Sequence, residues 1–263
     1  MTNIFDKTSN IFLECKARKQ IWLVPLIIFS LITIEWKYLL LSFVLYSFFR
    51  GIIFATYHDY VIHRVIKPKN KIIEIIGWYI ISVWEWTGPR PKVMYHCLHH
   101  MYDGDKELDP TEAKLSLTNS MAAWLFDLSP HAPITVYPEA EALMNRLNKT
   151  EVYLWFDKYW KHCLILTVIC WLIFLPFWTF LAFLIWPNWS WTMIYKFTEW
   201  RFHKQEKPDN PWLAILLGCH AWHESHHLDR SDTTTYKIYY GSGIIKYLNT
   251  DWYVHKLLYK PYH

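Results

Sequence analysis

Histidines recur along the chain at spacings that would bring their imidazole rings together on helices. His96, His99 and His100 fall within an arc of roughly 100 degrees on a helix of 3.6 residues per turn. A second triplet with the same spacing follows 127 positions later, and a pair five residues apart precedes both triplets. The later triplet is His223, His226 and His227, and the earlier pair is His58 and His63. Three separate segments therefore predict one histidine-rich pocket.

Imidazole chemistry favours a metal site in this pocket. Neutral imidazole binds borderline metal ions well and titrates near neutrality, so several neutral rings can be brought together at little cost. One triplet alone could be a set of surface or core histidines without a metal. Three groups, each beside a hydrophobic segment, fit that interpretation poorly. Eight ligands exceed the need of a single four-coordinate zinc ion, so the sequence predicts two metal ions. An imidazole-rich shell suits oxygen-activating iron, although ligand type alone does not establish oxygen chemistry.

Long apolar runs must position these histidines. Hydrophobic residues make up 53% of the 263-residue chain, which contains 17 Trp, 18 Tyr and 15 Phe. Runs over 21–34 and 38–49 predict one helical hairpin, and a block from 162 to 191 predicts a second. Since a span needs about 20 residues, flanking residues must join the first run. We predict an all-α integral membrane protein with four transmembrane helices, in hairpins over about 20–57 and 162–198.

The histidines fall outside these hairpins, in a predicted cytosolic cap formed by residues 58–161 and 199–263 of one membrane-bound domain, 1–263. Basic residues flank the first hairpin on both sides, so the positive-inside rule places both chain termini in the cytoplasm. The net charge is only +4 and the basic residues are scattered, so nucleic acid is not a predicted partner.

The second apolar run leads directly to the first histidine pair. No proline occurs between Tyr38 and Pro68, so we expect one helix to continue from the bilayer to His58 and His63. Arg50 lies within this helix, where two interpretations stay open: a functional group at membrane depth, or a side chain that extends to the membrane surface. Residues 72–86 are apolar but short, which predicts an interfacial or core helix.

Several motifs resemble those of the membrane fatty acid desaturases, specifically the acyl-CoA, delta-9 type. Residues 88–100, GPRPKVMYHCLHH, resemble the family's Gly-Pro…Val-x-x-His-x-x-His-His segment, and Asp109 with Pro110 resembles the Asp-Pro that follows it. The stretch WFDKYW, residues 155–160, is similar to the family's Phe-x-x-x-Tyr, with tryptophan in place of phenylalanine. The three histidine boxes match in order and type, with 32 residues between the first two, and the resemblance covers roughly residues 20 to 255.

The resemblance implies a ninth histidine ligand upstream of the last box. His203 stands four residues after Glu199, where the family has asparagine, and His220 stands where the family usually has glutamate. Both departures, like Thr111 where the family often has histidine, leave the reaction outcome more open than the metal count. The implied metal ligands are His58, His63, His96, His99, His100, His203, His223, His226 and His227. Further metal ligands or partners of the ligands' outer ring nitrogens are Glu199, His220, Asp59, Asp103, Asp109 and Glu224. No catalytic residue beyond these is predicted, and His131, His162, His255 and His263 are isolated and receive no role.

The activity implied by the resemblance is oxygen-dependent desaturation of a long acyl chain, with acyl-CoA favoured, at two Fe²⁺ ions above an apolar tunnel in the membrane. The chain lacks a His-Pro-Gly-Gly motif, a Rossmann glycine pattern and ferredoxin-type cysteines. An external electron donor, such as cytochrome b5 or a ferredoxin, is therefore expected.

Two alternatives stay open. A di-iron hydroxylase or other monooxygenase acting on a fatty acyl or other lipid chain would differ only in geometry, since oxygen rebound replaces a second hydrogen abstraction. A histidine-rich metal transporter would also collect imidazoles, but it should carry polar residues at mid-bilayer depth, where this chain is nearly uncharged.

Overall fold

A computed structural model of the chain describes residues 36–102, 150–187 and 247–262, together with residues 28, 29, 32, 33, 145, 148 and 212. The described residues are mostly helical. In chain order the elements are α1 (Trp36–Phe54), π1 (Ala55–Ile62), β1 (Ile66–Pro68), α2 (Lys71–Trp84), α3 (Pro89–Tyr102), α4 (Glu151–Phe174), α5 (Phe177–Phe180), π2 (Leu181–Ile185), α6 (Thr250–Leu258) and β2 (Tyr259–Pro261).

The helices α1 and π1 form one continuous rod, which confirms that the second apolar run leads without a break to the first histidine pair. Trp36–Ile62 is the one helix in the described part of the chain that is long and apolar enough to cross a membrane. Its two halves differ in their surroundings. The first half exposes large apolar side chains such as Trp36, Leu40 and Val44, whereas nearly every side chain from Arg50 onward is buried.

A break between two helices at Leu175 and Pro176 divides the second apolar block. The helix α4 ends at Phe174, and Leu175 and Pro176 separate it from α5 and π2. Proline cannot continue a helix without losing a backbone hydrogen bond, which explains the break. The Trp171 Nε1 donates to Thr179 Oγ1 at 2.8 Å across this turn.

The predicted core helix over residues 72–86 is confirmed as α2. The Asn70 side chain caps its start by accepting from the Ile73 backbone N–H at 3.1 Å. Trp78 and Ile81 are fully buried on one face, and Ile72 is exposed on the other. Gly77 lies on the buried face, where the helix approaches Thr56 of π1 so closely that a side chain has no room.

The start of α3 depends on a side chain from α4. Pro89 occupies the first helical position, where its missing N–H is not needed. The next free backbone N–H, that of Arg90, donates to Asp157 Oδ1 at 3.2 Å, and the Arg90 guanidinium lies 2.7 Å from Asp157 Oδ2. Asp157 belongs to the WFDKYW stretch, so this motif fixes the helix that carries the second histidine box.

The C-terminal segment packs against the α1–π1 rod. Arg50 is 1% exposed, and its Nη2 lies 3.0 Å from Asp251 Oδ1 on α6. The interpretation that Arg50 extends to the membrane surface is therefore wrong, because the side chain is buried against α6. Strand β2 pairs antiparallel with β1, so that Lys67 faces Lys260 and Pro68 faces Tyr259.

The core has two parts. The larger lies among α1, π1, α2, α3, α4 and α6, with Trp78, Leu98 and Tyr153 near its centre. The smaller brings π2 against Val83 of α2. The Trp84 Nε1 donates to the Phe183 carbonyl at 2.8 Å beside this second part, so α2 joins both.

Candidate metal centre

A π-helix brings the first two histidines to one face. On an α-helix, residues five apart differ by roughly 140 degrees, so His58 and His63 would diverge. In π1 the hydrogen bonds run from residue i+5 to residue i, and the His63 backbone N–H donates to the His58 carbonyl at 2.9 Å. The two Nε2 atoms consequently lie 3.1 Å apart.

The second box reaches the same point from α3. His96 and His100 are four residues apart on an α-helix, so their side chains lie on one face. Their Nε2 atoms are 2.9 Å apart, and both side chains are buried. The His58 and His96 ring centroids are 4.9 Å apart, as are those of His63 and His100.

The four histidines of π1 and α3 form one cluster. Each offers a ring nitrogen, and all four nitrogens lie within 4.8 Å of one another. His58, His96 and His100 are at most 6% exposed, and His63 is partly buried. The sequence prediction that these two segments converge is confirmed for His58, His63, His96 and His100.

The separations fit a shared cation. Two imidazole nitrogens bound to one ion at about 2.1 Å lie roughly 3.0 to 3.4 Å apart for right-angled to tetrahedral geometry. The two measured pairs, at 2.9 and 3.1 Å, are close to the right-angled value. Without a cation, the same pairs can share a proton in an N–H···N bond. A metal ion would take the place of that proton, so the donor set suits a borderline divalent metal.

Asp59 sets the tautomer of one ligand. Its Oδ1 lies 2.7 Å from His58 Nδ1, and a carboxylate can only accept, so Nδ1 carries the proton. The lone pair of His58 is then on Nε2, the atom that faces His63. A carboxylate at the outer ring nitrogen is a usual partner of a metal-bound histidine. Asp59 therefore occupies the place that the sequence proposed for it, beside the outer nitrogen of a box histidine.

His99 is buried beside the cluster without belonging to it. The side chain is 0% exposed, and its ring centroid lies 5.9 Å from that of His96 and 5.8 Å from that of His100. Among the described residues the cluster of converging nitrogens contains four histidines, and His99 is not one of them.

The remaining predicted site residues lie outside the described part of the chain. They are His203, His223, His226, His227, Glu199, His220, Asp103, Asp109 and Glu224.

His255 contacts the cluster's carboxylate, which the sequence did not indicate. Its Nε2 lies 2.9 Å from Asp59 Oδ2, and its side chain is 5% exposed. The two residues are 196 positions apart, and His255 belongs to no histidine box. Only the packing of α6 against π1 brings them together.

Aromatic side chains surround the four histidines. The Phe54 ring centroid is 3.9 Å from that of His58, and the Tyr57 ring meets His96 edge-on at 5.4 Å. Below them, the Tyr259 hydroxyl lies 2.7 Å from Thr56 Oγ1. Burial raises the pKa of Tyr259 well above its usual range, so this hydroxyl keeps its proton at neutral pH. Besides the Asp59 carboxylate, the cluster is thus in contact with the neutral aromatic rings of Phe54 and Tyr57.

A wide apolar groove lies elsewhere, between α2 and α4. Its volume is about 1050 Å³, and its lining includes Tyr79, Phe156, Leu166 and Trp171. Among the described residues, no histidine of the cluster lines this groove.

No protein-family model matches the chain, and no curated protein matches its sequence.

Proposed function

We propose that the chain is a multi-pass membrane enzyme, an oxygen-dependent di-iron desaturase of long fatty acyl chains. The observation that carries the proposal is the convergence of four buried histidine nitrogens within 4.8 Å, next to the far end of an apolar helix. The reaction is proposed from the order and spacing of the three histidine boxes, which resemble those of membrane fatty acid desaturases.

The distribution of exposed apolar side chains supports a membrane location. Large apolar groups are exposed on the first half of α1 and on the second half of α4, where Ile173 and Phe174 are 67% and 77% exposed. The start of α1 contacts α5, the helix that follows α4, because the Tyr38 and Trp178 ring centroids are 4.1 Å apart. Contiguous apolar surface of this kind is typical of a protein that is embedded in lipid.

The cluster lies at the opposite end of the rod. From Trp36 to His58 the helix rises by about 30 Å, which is close to the thickness of the hydrocarbon core of a bilayer. The helix thus places the four histidines about one hydrocarbon-core thickness from its exposed start. Two hairpins with a cytosolic cap, as the sequence predicts, are part of the proposal.

In this proposal, the nine histidine ligands form two sets, one for each iron. His58, His63, His96 and His100 would hold one ion, and His99 with His203, His223, His226 and His227 would hold the other. Bound iron supplies the one-electron and oxygen chemistry that carbon–hydrogen bond cleavage requires. The chain holds the ligands and shields them from water with Phe54 and Tyr57. Electrons come from an external donor such as cytochrome b5 or a ferredoxin, and an acyl-CoA is the favoured substrate.

Expression in a host that lacks its own desaturase, but contains cytochrome b5 and ferredoxin, tests the proposal. Mass spectrometry of the host fatty acids should show new monoenes with the wild-type chain and none with His58→Ala. His162→Ala is the matched control, because His162 is exposed on α4 and should leave the product unchanged. Hydroxy fatty acids would instead establish the hydroxylase. Unchanged lipids with altered metal uptake would establish the transporter.

A further inference from the structure

We propose that His255, on the C-terminal helix α6, is a positioning residue for the metal centre, and that it holds the ligand His58 through Asp59. This inference rests on the proposed metal centre but not on the reaction carried out there. It makes α6 a further part of the centre, alongside the three segments that carry histidine boxes.

The two oxygens of Asp59 serve two different elements. Oδ1 accepts from His58 Nδ1 within π1 at 2.7 Å, and Oδ2 lies at ion-pair distance, 2.9 Å, from His255 Nε2 on α6. The three side chains are between 1% and 12% exposed. A buried carboxylate is costly unless both oxygens have polar partners. His255 supplies an electrostatic partner for Oδ2, because its Nε2 lies at ion-pair distance although it is not aligned for a hydrogen bond.

The helix that carries His255 is held firmly in place. Its first turn is capped by Asn249, which accepts from the Asp251 N–H at 2.9 Å, and Thr250 Oγ1 donates to the Ser47 carbonyl of α1 at 3.0 Å. Its last turn is fixed by Lys69 Nζ, which donates to the carbonyls of Lys256 and Leu257 at 2.7 and 3.0 Å. The helix that carries His255 is therefore anchored at its start by α1 and at its end by Lys69, which follows β1.

Fixing Asp59 from two sides fixes His58. Asp59 follows His58 directly in the chain, so the carboxylate could rotate toward other partners if only one oxygen were engaged. With His255 Nε2 2.9 Å from Oδ2, the electrostatic contact restrains the carboxylate beside His58 Nδ1, and the Nδ1 contact in turn keeps His58 Nε2 directed at the cluster. Loss of such an outer partner typically lowers metal affinity about 10- to 100-fold.

Metal titration of the full-length chain in detergent, after removal of bound metal, tests this role. Co²⁺ is the probe, because its visible absorption bands report the geometry of the ligands. Asp59→Asn, which alters the direct partner of His58, should weaken binding of Co²⁺ at the four-histidine cluster about 10- to 100-fold. His255→Leu acts on His58 only through Asp59, so it should weaken binding by about 10-fold, the lower end of that range, and shift the bands. His255→Gln, whose amide N–H can reach Asp59 Oδ2, should retain most of the affinity and the wild-type spectrum.

A matched variant separates positioning from packing. Val254 is the fully buried neighbour of His255 on α6, so Val254→Ala should lower the melting temperature without weakening Co²⁺ binding or changing the spectrum. The effects of His255→Leu and Asp59→Asn should not add, because both act on the same contact.

Three results would overturn the inference: wild-type affinity and spectrum in His255→Leu, equal losses in His255→Leu and Val254→Ala, or no Co²⁺ binding by the wild-type chain. A chain that binds Co²⁺ as expected but forms no unsaturated product would refute the desaturase and leave the role of His255 intact.

Discussion

Replacement of Gly77 by alanine should destabilise the protein through its contact with π1. A β-carbon at this position would lie 2.2 Å from Thr56 Oγ1 and 2.9 Å from Thr56 Cγ2, well inside van der Waals contact. Thr56 cannot easily rotate away. Its hydroxyl donates to the Ile52 carbonyl at 2.7 Å and lies 2.7 Å from the Tyr259 hydroxyl, and the side chain is fully buried.

The size of the effect follows from these contacts. Overpacking by one methyl group costs about 1–3 kcal/mol, and each hydrogen bond of Thr56 that breaks adds about 1 kcal/mol. Alanine has the better helix propensity by about 1 kcal/mol, which offsets part of the loss. We expect Gly77→Ala to lower the free energy of unfolding by about 2–3 kcal/mol. For a chain of this size, that corresponds to a fall in melting temperature of roughly 4–12 °C.

Thermal unfolding in detergent of a double-mutant cycle with Thr56→Ala measures this contact. Thr56→Ala alone should cost about 1–3 kcal/mol, because the buried Tyr259 hydroxyl loses its partner. The second change also removes the two clashing atoms, so the double variant should be more stable than the sum of the single effects by about 1–2 kcal/mol. Strictly additive effects, or a Gly77→Ala variant more stable than wild type, would refute the close packing of α2 on π1.

Substitutions at three further acidic residues, Asp251, Asp157 and Glu74, test contacts elsewhere in the fold. Asp251→Leu should lower stability by about 3–5 kcal/mol, and adding Arg50→Met should restore most of the loss, because a buried pair can be replaced more easily than halved. Calorimetry of the two variants checks this. Asp157→Leu should cost about 1.5–3 kcal/mol and Asp157→Asn less, since the amide can still accept from the Arg90 N–H, and the difference should appear in denaturant midpoints. Burial raises the pKa of Glu74, so the folded chain holds this proton more tightly than the unfolded chain. The stabilisation from the protonated Glu74 is present below the unfolded pKa and is lost as pH rises through the folded pKa. The wild-type melting temperature should therefore fall over this pH range, and Glu74→Gln, which cannot titrate, should lack this part of the fall.

The sequence predicted the parts of the site that depend on regular helical spacing. His96 and His100 follow the four-residue rule, and the absence of proline between Tyr38 and Pro68 is sufficient to predict that one helix reaches His58 and His63. These features are local, so a pattern of residues specifies them.

The sequence could not predict what depends on local irregularity or on distant packing. On an α-helix the side chains of His58 and His63, five residues apart, would point in different directions. No residue in ATYHDYVI predicts the π-helix that aligns them. Asp157 could not be assigned to the start of α3, nor His255 to Asp59, because tertiary packing alone makes those contacts. From the sequence, Arg50 can be considered only in relation to the membrane, because its partner Asp251 is 201 positions away.

The metal content of the purified chain tests the central claim most directly. If the histidines of π1 and α3 bind one cation together, mass spectrometry of the elements should find iron in the wild-type chain and a clear loss of metal per chain in His100→Ala. His162→Ala should retain the wild-type ratio. An unchanged ratio of metal to protein in His100→Ala would contradict the claim that these four side chains form a metal site.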